Sequence, residues 1–127
     1  MVEKDIHAYR EYASFADFKN AISLATELED ELSRDLKISN LWDSLKVHHQ
    51  IPFVLNDTVA FLYKGDANQV NWVGDFNGWN PQYSGFQGQK LGLSNVWMVQ
   101  AVFPHDARLD YKIVKNKTWI LDPANSF

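Results

Sequence analysis

The sequence predicts a mainly β fold, in which a β-sandwich over residues 51–127 is preceded by an α-helical segment over residues 1–50. Two observations predict it. In the first half, apolar residues recur at steps of three and four, which is the period of an amphipathic helix. From Ile51-Pro52 onward, short alternating runs are separated by Gly, Asn, Asp and Pro, which is typical of short strands joined by turns. With 46% hydrophobic and 22% charged residues, the 127-residue chain has a globular composition.

The helical half is predicted to contain one long and one short helix. Ser14 and Asp17 resemble a capping pair, and they begin a helix over 14–36. Its face is formed by residues that share this spacing, namely Phe15, Phe18, Ile22, Ala25, Leu28 or Glu29, Leu32 and Leu36. A helix over 39–48 carries Trp42, which we expect to pack the helical segment onto the sheet, and residues 5–12 are predicted to add a further helical turn.

Six or seven strands are predicted in the second half, a number that fits an immunoglobulin-like domain. They cover 52–55, 58–63, 70–76, 88–93, 97–103, 109–114 and 118–121. Because side chains alternate between the faces of a strand, Trp72 and Trp97 fall in phase with apolar neighbours and are predicted to lie in the core. Lys112 falls on the opposite, solvent-facing side of its strand.

Charge and composition exclude several classes of partner. Twelve Lys and Arg against sixteen Asp and Glu give a net charge of −4 with no basic cluster, so nucleic acid is not expected as a partner. No run approaches the ~18 apolar residues of a membrane span. The charged start, Met1-Val2-Glu3-Lys4-Asp5, lacks the apolar run of a signal peptide, and we expect a cytoplasmic protein without membrane contact.

No catalytic constellation is visible, so no catalytic residue, metal or cofactor is predicted. The segment 92–96 lacks the second glycine of a nucleophile elbow, and no glycine loop opens a helix behind a strand. His48 and His49 diverge by about 100° on a helix, and His7 and His105 have no partner at ligand spacing. A glycosidase pair among Asp75, Asp110 and Asp122 is less favoured than turn and strand-edge roles for these residues.

Two aromatic turns carry the functional prediction. The run 70–81 contains Gly-Asp-Phe-Asn-Gly followed by Trp79, and a second turn at 115–117 delivers Trp119 soon after Lys112. If both turns lie at one edge of the sandwich, these side chains converge with amides from Asn77, Asn80 and Asn116. An indole covers the apolar face of a pyranose while Lys and Asn bond its hydroxyls, so the set favours a saccharide site. Alternatively, the two indoles plug the ends of the sandwich.

These residues resemble the early-set immunoglobulin-like domain of the family 48 carbohydrate-binding modules, which occur in β-subunits of AMP-activated protein kinase, isoamylases and glycogen-branching enzymes. The resemblance covers about 57–125 and is carried by Gly-Asp-Phe-Asn-Gly-Trp, ending at Trp79, and by Tyr-Lys, a turn and Trp-x-x-Asp-Pro over 111–123. It implies an α-glucan platform made of Trp79, Lys112 and Trp119, with Asn116 in the intervening turn. The family's further contacts follow the Asp-Pro, so part of the site is expected to be missing from this chain.

The helical lead-in, with Ile51-Pro52-Phe53-Val54 after it, is instead similar to the N-terminal region of enterochelin-esterase-like esterases. There the module precedes an α/β-hydrolase domain. We therefore expect a noncatalytic module that binds an α-glucan or related polysaccharide or oligosaccharide, attached to a C-terminal catalytic domain of a glycoside hydrolase or esterase. The alternative is a structural domain that caps or orients an esterase-like catalytic domain and binds no sugar.

Overall fold

The computed structural model describes residues 12–82, 84–104, 107 and 109–125. Two helices come first in that part of the chain, and two antiparallel sheets follow. The elements are α1 (Phe15–Thr26), α2 (Glu31–Val47), β1 (Phe53–Leu55), β2 (Thr58–Lys64), β3 (Val70–Gly74), β4 (Gln89–Lys90), β5 (Val96–Val102), β6 (Tyr111–Lys115) and β7 (Thr118–Ile120). The predicted turn at 5–12, except Tyr12, and the histidines His7 and His105 lie outside the described residues.

The prediction of one helix over 14–36 is wrong, because the chain breaks between Thr26 and Glu31 and then forms one helix through to Val47. Asp30 begins α2 as its N-cap, and its carboxylate accepts a hydrogen bond of 2.9 Å from the backbone N–H of Ser33. Arg34 closes the break by donating to the backbone oxygen of Leu28 over 2.9 Å. The C-cap of α1 at Glu27 and the N-cap of α2 at Asp30, both inside the acidic run, therefore override the continuous apolar spacing.

The break changes which side of α2 is buried. Leu32 and Leu36, predicted on the apolar face, are 81% and 64% exposed. The buried stripe is instead made of Ile38, Trp42 and Leu45, whose steps of four and three restart the helical period after the new N-cap. Trp42 packs in one cluster with residues of the four-stranded sheet, which confirms its predicted role.

The strands form a four-stranded sheet in the order β1-β2-β5-β4 and a three-stranded sheet in the order β3-β6-β7. The central strand β2 is buried on both faces. Ala60 and Leu62 face the helices, whereas Val59 and Phe61 face the three-stranded sheet, so β2 separates two hydrophobic clusters. The molecule is thus mainly β with two facing sheets and a helical layer, an arrangement consistent with the predicted β-sandwich.

The cluster between the sheets holds the large aromatic side chains that the alternation predicted. Trp72 and Trp97 are 0% and 8% exposed there, which confirms both as core residues. Within the described residues, no helix is long and apolar enough to cross a membrane.

The topology of the three-stranded sheet brings three strand termini to one end. Gly74, the last residue of β3, pairs with Tyr111, the first of β6, and Ile113 pairs with Ile120 at the end of β7. Because both pairings are antiparallel, the exits of β3 and β7 lie beside the entrance of β6. The loop after β3 and the segment after β7 therefore meet at this end of the sheet.

Candidate functional site

Trp79 is delivered by the tight reversal that follows β3. A short 3-10 helix (Asp75–Asn77) leads to Gly78 and Trp79, whose φ angles of 65° and 58° are both in the left-handed region. Glycine is needed at Gly74, because a Cβ there would lie 2.5 Å from the backbone oxygen of Asp110. The reversal thus turns the chain directly against the entrance of β6.

Hydrogen bonds fix both the backbone and the ring of Trp79. Its backbone N–H donates to the oxygen of Gly74 over 2.9 Å, and its indole Nε1 donates to Oδ1 of Asp75, also over 2.9 Å. A left-handed conformation costs a non-glycine residue roughly 1–2 kcal/mol, so these bonds hold a conformation that the residue itself disfavours. The indole is partly buried, and its N–H is engaged by Asp75.

The predicted amides Asn77 and Asn80 support this loop. The buried side chain of Asn77 accepts from the N–H of Gly74 over 3.1 Å and donates to the oxygen of Trp72 over 3.0 Å. Oδ1 of Asn80 accepts from the N–H of Gln82 over 2.9 Å. Both amides therefore shape the turn that presents Trp79.

An open groove of about 580 Å³ lies at the end of the sheet where these segments meet. Its lining combines an indole, an ammonium, two carboxylates, an amide and apolar side chains: Trp79, Leu109, Asp110, Tyr111, Lys112, Leu121, Asp122 and Asn125. The structure thus brings Trp79 and Lys112 together as predicted. Such a mixture of a flat apolar surface and polar groups suits a ligand that is apolar on its faces and polar at its rim.

A polar network stands at the back of this groove, and the sequence reasoning missed it. The Tyr111 hydroxyl donates to Oδ2 of Asp122 over 2.6 Å and accepts from Nδ2 of Asn125 over 3.1 Å. Oδ1 of Asp122 accepts from the N–H of Ala124 over 2.9 Å. Asp122 was predicted to have a turn or strand-edge role, and nothing in the spacing of Tyr111 and Asp122 indicated that the two side chains meet.

Burial raises the pKa of both acids in this network, Tyr111 and Asp122. It raises the pKa of Tyr111 far above its ordinary value, and the adjacent Asp122 carboxylate raises it further. Burial also raises the pKa of Asp122, although the Tyr111 hydroxyl and the N–H groups of Ala124 and Asn125 partly offset that effect. The Asp122 charge is therefore held in surroundings less favourable to it than water.

Trp119 lies on the outer face of the same sheet. It pairs with Val114, and Lys112 precedes Val114 by two residues, so Trp119 and Lys112 are diagonal neighbours roughly 7–8 Å apart. Trp119 is 45% exposed and Lys112 is exposed. The indole of Trp119 is not part of the groove lining but stands next to it, on the surface that Lys112 shares.

Asn116, by contrast, is at the other end of the sheet. Its Oδ1 accepts from the N–H groups of Asn68 and Gln69, over 2.8 and 3.0 Å, before β3 begins. Asn116 and Lys117 have φ angles of 49° and 75°, which are those of a two-residue type I′ hairpin turn. The two aromatic turns thus do not share an edge, and the Asn116 amide is not brought to the groove.

The candidate catalytic and metal-binding residues are placed as follows. Asp75 is bonded to the indole of Trp79, whereas Asp110 and Asp122 both line the groove. His48 and His49 follow the end of α2 on the helical side of the molecule. Across the described ranges, no group of three or more His, Cys, Asp or Glu side chains could hold a metal ion.

Comparison with known proteins does not identify a family. No family model matches this sequence, and no curated protein matches it. What the groove binds is therefore inferred from its own chemistry.

Proposed function

We propose that this chain is a noncatalytic accessory module that binds an α-glucan or a related saccharide through Trp79, Lys112 and Trp119. The observation that carries the proposal is the groove in which the Trp79 ring and the Lys112 side chain meet, beside the exposed ring of Trp119. A pyranose stacks its apolar C–H face on an indole, and its hydroxyls bond to ammonium and carboxylate groups. Each of these groups is available at this end of the three-stranded sheet.

The magnitude expected for each contact is small. Covering one face of an indole removes on the order of 50–100 Å² of apolar surface from water, which contributes about 1–2.5 kcal/mol. Two such rings with a few hydrogen bonds give weak binding of a single oligosaccharide once the entropy of association is subtracted. A polymer that occupies several modules, or a module tethered to an enzyme, gains by effective concentration. This fits a module that holds a polysaccharide near a catalytic domain.

We also propose the finer fold class, an early-set immunoglobulin-like sandwich. The seven strands among the described residues, arranged in two facing antiparallel sheets, support it. The resemblance to family 48 carbohydrate-binding modules is supported by the meeting of its motif residues: Trp79 and Lys112 line one groove, and Trp119 is diagonal to Lys112. These residues are far apart in sequence, and their proximity is what the resemblance requires.

Affinity electrophoresis tests the proposal. The parent protein, Trp79→Ala and Trp119→Ala are run in native gels that contain glycogen, starch or xylan, and retardation is measured relative to a polysaccharide-free gel. Leu24→Ala is the matched control, because Leu24 is a 62% exposed apolar residue on α1, away from the groove. We expect retardation of the parent and the control by glycogen and starch, and weaker retardation of both Trp variants. Equal mobility of all four proteins would contradict a saccharide platform.

A second candidate function is the structural one, in which the domain caps or orients an esterase-like catalytic domain. The exposed apolar side chains of the helical layer favour it, namely Leu24, Leu32, Leu36 and Val47, which are 62%, 81%, 64% and 70% exposed. A contiguous exposed apolar patch marks an interaction site, and Leu32 and Leu36 are neighbours because they lie four residues apart on α2. In this case Leu32→Ser and Leu36→Ser weaken docking to the catalytic domain, whereas Trp119→Ala leaves docking unchanged.

The noncatalytic part of the proposal has its own test. Asp110 and Asp122 are two carboxylates in one groove, which is the minimum equipment of a glycoside hydrolase. We expect no release of reducing sugar from glycogen by the isolated chain. Turnover that Asp122→Asn abolishes would instead assign an enzyme.

A further inference from the structure

Leucines recur at four-residue steps where α1 gives way to α2, and they are exposed to solvent. The residues that share this step are Leu24, Leu28, Leu32 and Leu36. Residues four apart on a helix are neighbours on its surface, so Leu32 and Leu36 form one apolar row on α2. This row lies away from the buried stripe of the helix and belongs to neither described hydrophobic cluster.

A row of carboxylates runs beside the leucine row. Glu31 and Asp35 are also four residues apart, and each precedes one leucine of the row, so the two rows are about 100° apart around α2. Both carboxylates are exposed, and they line an open groove of about 360 Å³ between α2 and the turn that joins β4 to β5. Leu93 stands exposed on the turn side of this groove. A partner that lies along α2 therefore meets apolar and acidic side chains at the same helical step.

Two cations line the same groove, and each is engaged within the protein. Nη1 of Arg34 donates to the backbone oxygens of Leu28 and Glu29, over 2.9 and 3.3 Å. The Lys64 ammonium lies over the Trp42 ring, 5.9 Å from its centroid. Both cations are partly buried, whereas the carboxylate row is exposed, so a partner that approaches from solvent meets the carboxylates first.

The surrounding segment carries charge of the same sign. Residues 24–40 contain five of the sixteen acidic residues and two of the twelve basic ones, so this stretch carries −3 of the net charge of −4. Glu27 accepts a hydrogen bond from the Ser23 hydroxyl over 2.8 Å. Asp30 accepts one from the backbone N–H of Ser33 over 2.9 Å. These donors are neutral, so the carboxylates keep their charge, and the surface is complementary to one that combines apolar and basic groups.

We propose that this surface docks a basic amphipathic helix of a protein partner; the surface consists of Leu32, Leu36, Glu31, Asp35 and Leu93. Such a helix presents apolar side chains at four-residue steps with Lys or Arg beside them, which matches both rows of α2. A second copy of the chain would bring like charges together, and an anionic lipid surface would be repelled. The inference does not rest on saccharide binding. It adds the chemistry of the partner to the second candidate function, which uses the same helical layer.

Fluorescence anisotropy with two labelled synthetic peptides tests the proposal on the whole chain. The first peptide has the 17-residue length of α2 and is built of Leu, Lys and Ala, with Leu on one helical face and Lys beside it. The second peptide has Glu in place of every Lys. We expect the basic peptide to bind, more weakly as the salt concentration rises, and the acidic peptide not to bind. Equal binding of the two peptides, or no binding of the basic one, would overturn the proposal.

The double variant Leu32→Ser with Leu36→Ser tests the apolar row. Both side chains are exposed, so we expect the fold to be retained, and the lost apolar contact predicts binding of the basic peptide about tenfold weaker or more. Val54→Ser with Val102→Ser is the control, because it removes two exposed apolar side chains from β1 and β5. Equal affinities of the two double variants would contradict the role of the leucine row.

The carboxylate row is tested by Glu31→Gln with Asp35→Asn. Loss of two exposed ion pairs predicts binding about threefold to tenfold weaker and a smaller dependence on salt. Asp17→Asn with Asp57→Asn removes the same charge from exposed positions in the first turn of α1 and between β1 and β2, and it is expected to bind like the parent. A control that loses as much affinity would show that net charge alone attracts the peptide.

Two measurements on the unaltered protein complete the test. Backbone amide shifts in NMR spectra are expected to change over residues 24–40 and at Leu93 when the basic peptide is added; changes confined to the three-stranded sheet around Lys112 would overturn the proposal. Light scattering is expected to show no self-association of the chain. Self-association that Leu32→Ser with Leu36→Ser abolishes would assign a second copy to this surface instead. A failure of this kind leaves glycogen retardation, and with it the saccharide proposal, unaffected.

Discussion

Removal of the Tyr111 hydroxyl tests the energetics of the groove most directly. Tyr111→Phe keeps the ring, which packs against the cluster between the two sheets, and deletes the group that donates to Asp122 over 2.6 Å. It also deletes the acceptor of the Asn125 amide. The variant therefore isolates the polar network from the hydrophobic core.

The expected loss of stability follows from the two hydrogen bonds that Tyr111→Phe removes. A hydrogen bond to a charged group is worth about 1.5–3 kcal/mol in a protein, and water entering an open groove replaces part of it. We expect Tyr111→Phe to lower the free energy of unfolding by about 1–2 kcal/mol at neutral pH. The Tyr111 hydroxyl also opposes the upward pKa shift of Asp122, so that pKa is expected to rise further in the variant.

The contribution of Asp122 to stability changes with pH in a defined direction. The ordinary pKa of Asp122 is 3.8, and burial raises it in the folded state, so the folded protein holds this proton more tightly than the unfolded chain does. The resulting contribution to stability is fully present below pH 3.8 and is lost as pH rises through the folded pKa. Asp30 acts in the opposite sense, because hydrogen bonds from Ser33 lower its pKa. The difference between parent and Asp122→Asn therefore isolates the contribution of Asp122.

Urea unfolding followed by tryptophan fluorescence between pH 3 and pH 8 provides the assay. We expect Asp122→Asn to gain stability relative to the parent as pH rises from 3.8 through the raised pKa, and Tyr111→Phe to show the parent's decline extended to higher pH. A Tyr111→Phe that equals the parent in stability at neutral pH would refute the network as an energetic feature. A difference between parent and Asp122→Asn that is constant over the whole range would refute the raised pKa.

Three further predictions concern single positions. Trp119→Ala is expected to lower the free energy of unfolding by about 1–2 kcal/mol, because the ring is 45% exposed and its remaining surface is buried, and it also weakens glycogen retardation; urea melts and affinity gels separate the two effects. Lys117→Gly is expected to stabilise by about 0.5–1 kcal/mol in urea melts, because Lys117 holds a φ of 75° in a turn that prefers Asn-Gly. Leu45→Ala is expected to cost about 2–5 kcal/mol and Leu32→Ala almost nothing, since they are 2% and 81% exposed; equal losses would contradict the restarted phase of α2.

The β half could be predicted because short apolar runs bounded by turn residues mark its strands, and alternation within each run fixes which residues share a face. Alternation along β2 places Val59 and Phe61 on one face, and they lie together in the cluster between the sheets. The helical half was harder, because Leu28, Leu32 and Leu36 continue an apolar period across a break that depends on capping. The pair formed by Asp30 and Ser33 was the available signal, but it lies within an acidic run that fits a solvated helix face equally well.

The candidate site was predicted in part, and the topology of the three-stranded sheet explains where its residues lie. Trp79 and Lys112 meet because β3 pairs antiparallel with β6, which sets the exit of one strand beside the entrance of the other. The same pairing sends the β6–β7 turn, and Asn116 with it, to the far end. If these two strands are taken as antiparallel neighbours, the sequence alone places Asn116 at the far end of the sheet and excludes it from the groove. The contact between Tyr111 and Asp122 could not be anticipated in this way, because it depends on how the chain bends after β7 ends.

The two candidate functions use opposite sides of the molecule. Ala60 and Leu62 on one face of β2 pack with the helices, and Val59 and Phe61 on the other pack toward the three-stranded sheet that carries the groove. Exposed leucines such as Leu32 therefore lie on the helical layer, with the four-stranded sheet between them and Lys112. A saccharide in the groove and a protein partner on the helices do not compete for surface. Leu32→Ser should consequently leave glycogen retardation unchanged, and Trp119→Ala should leave docking to the catalytic domain unchanged. The double variant should show both losses, each as large as in the single variant.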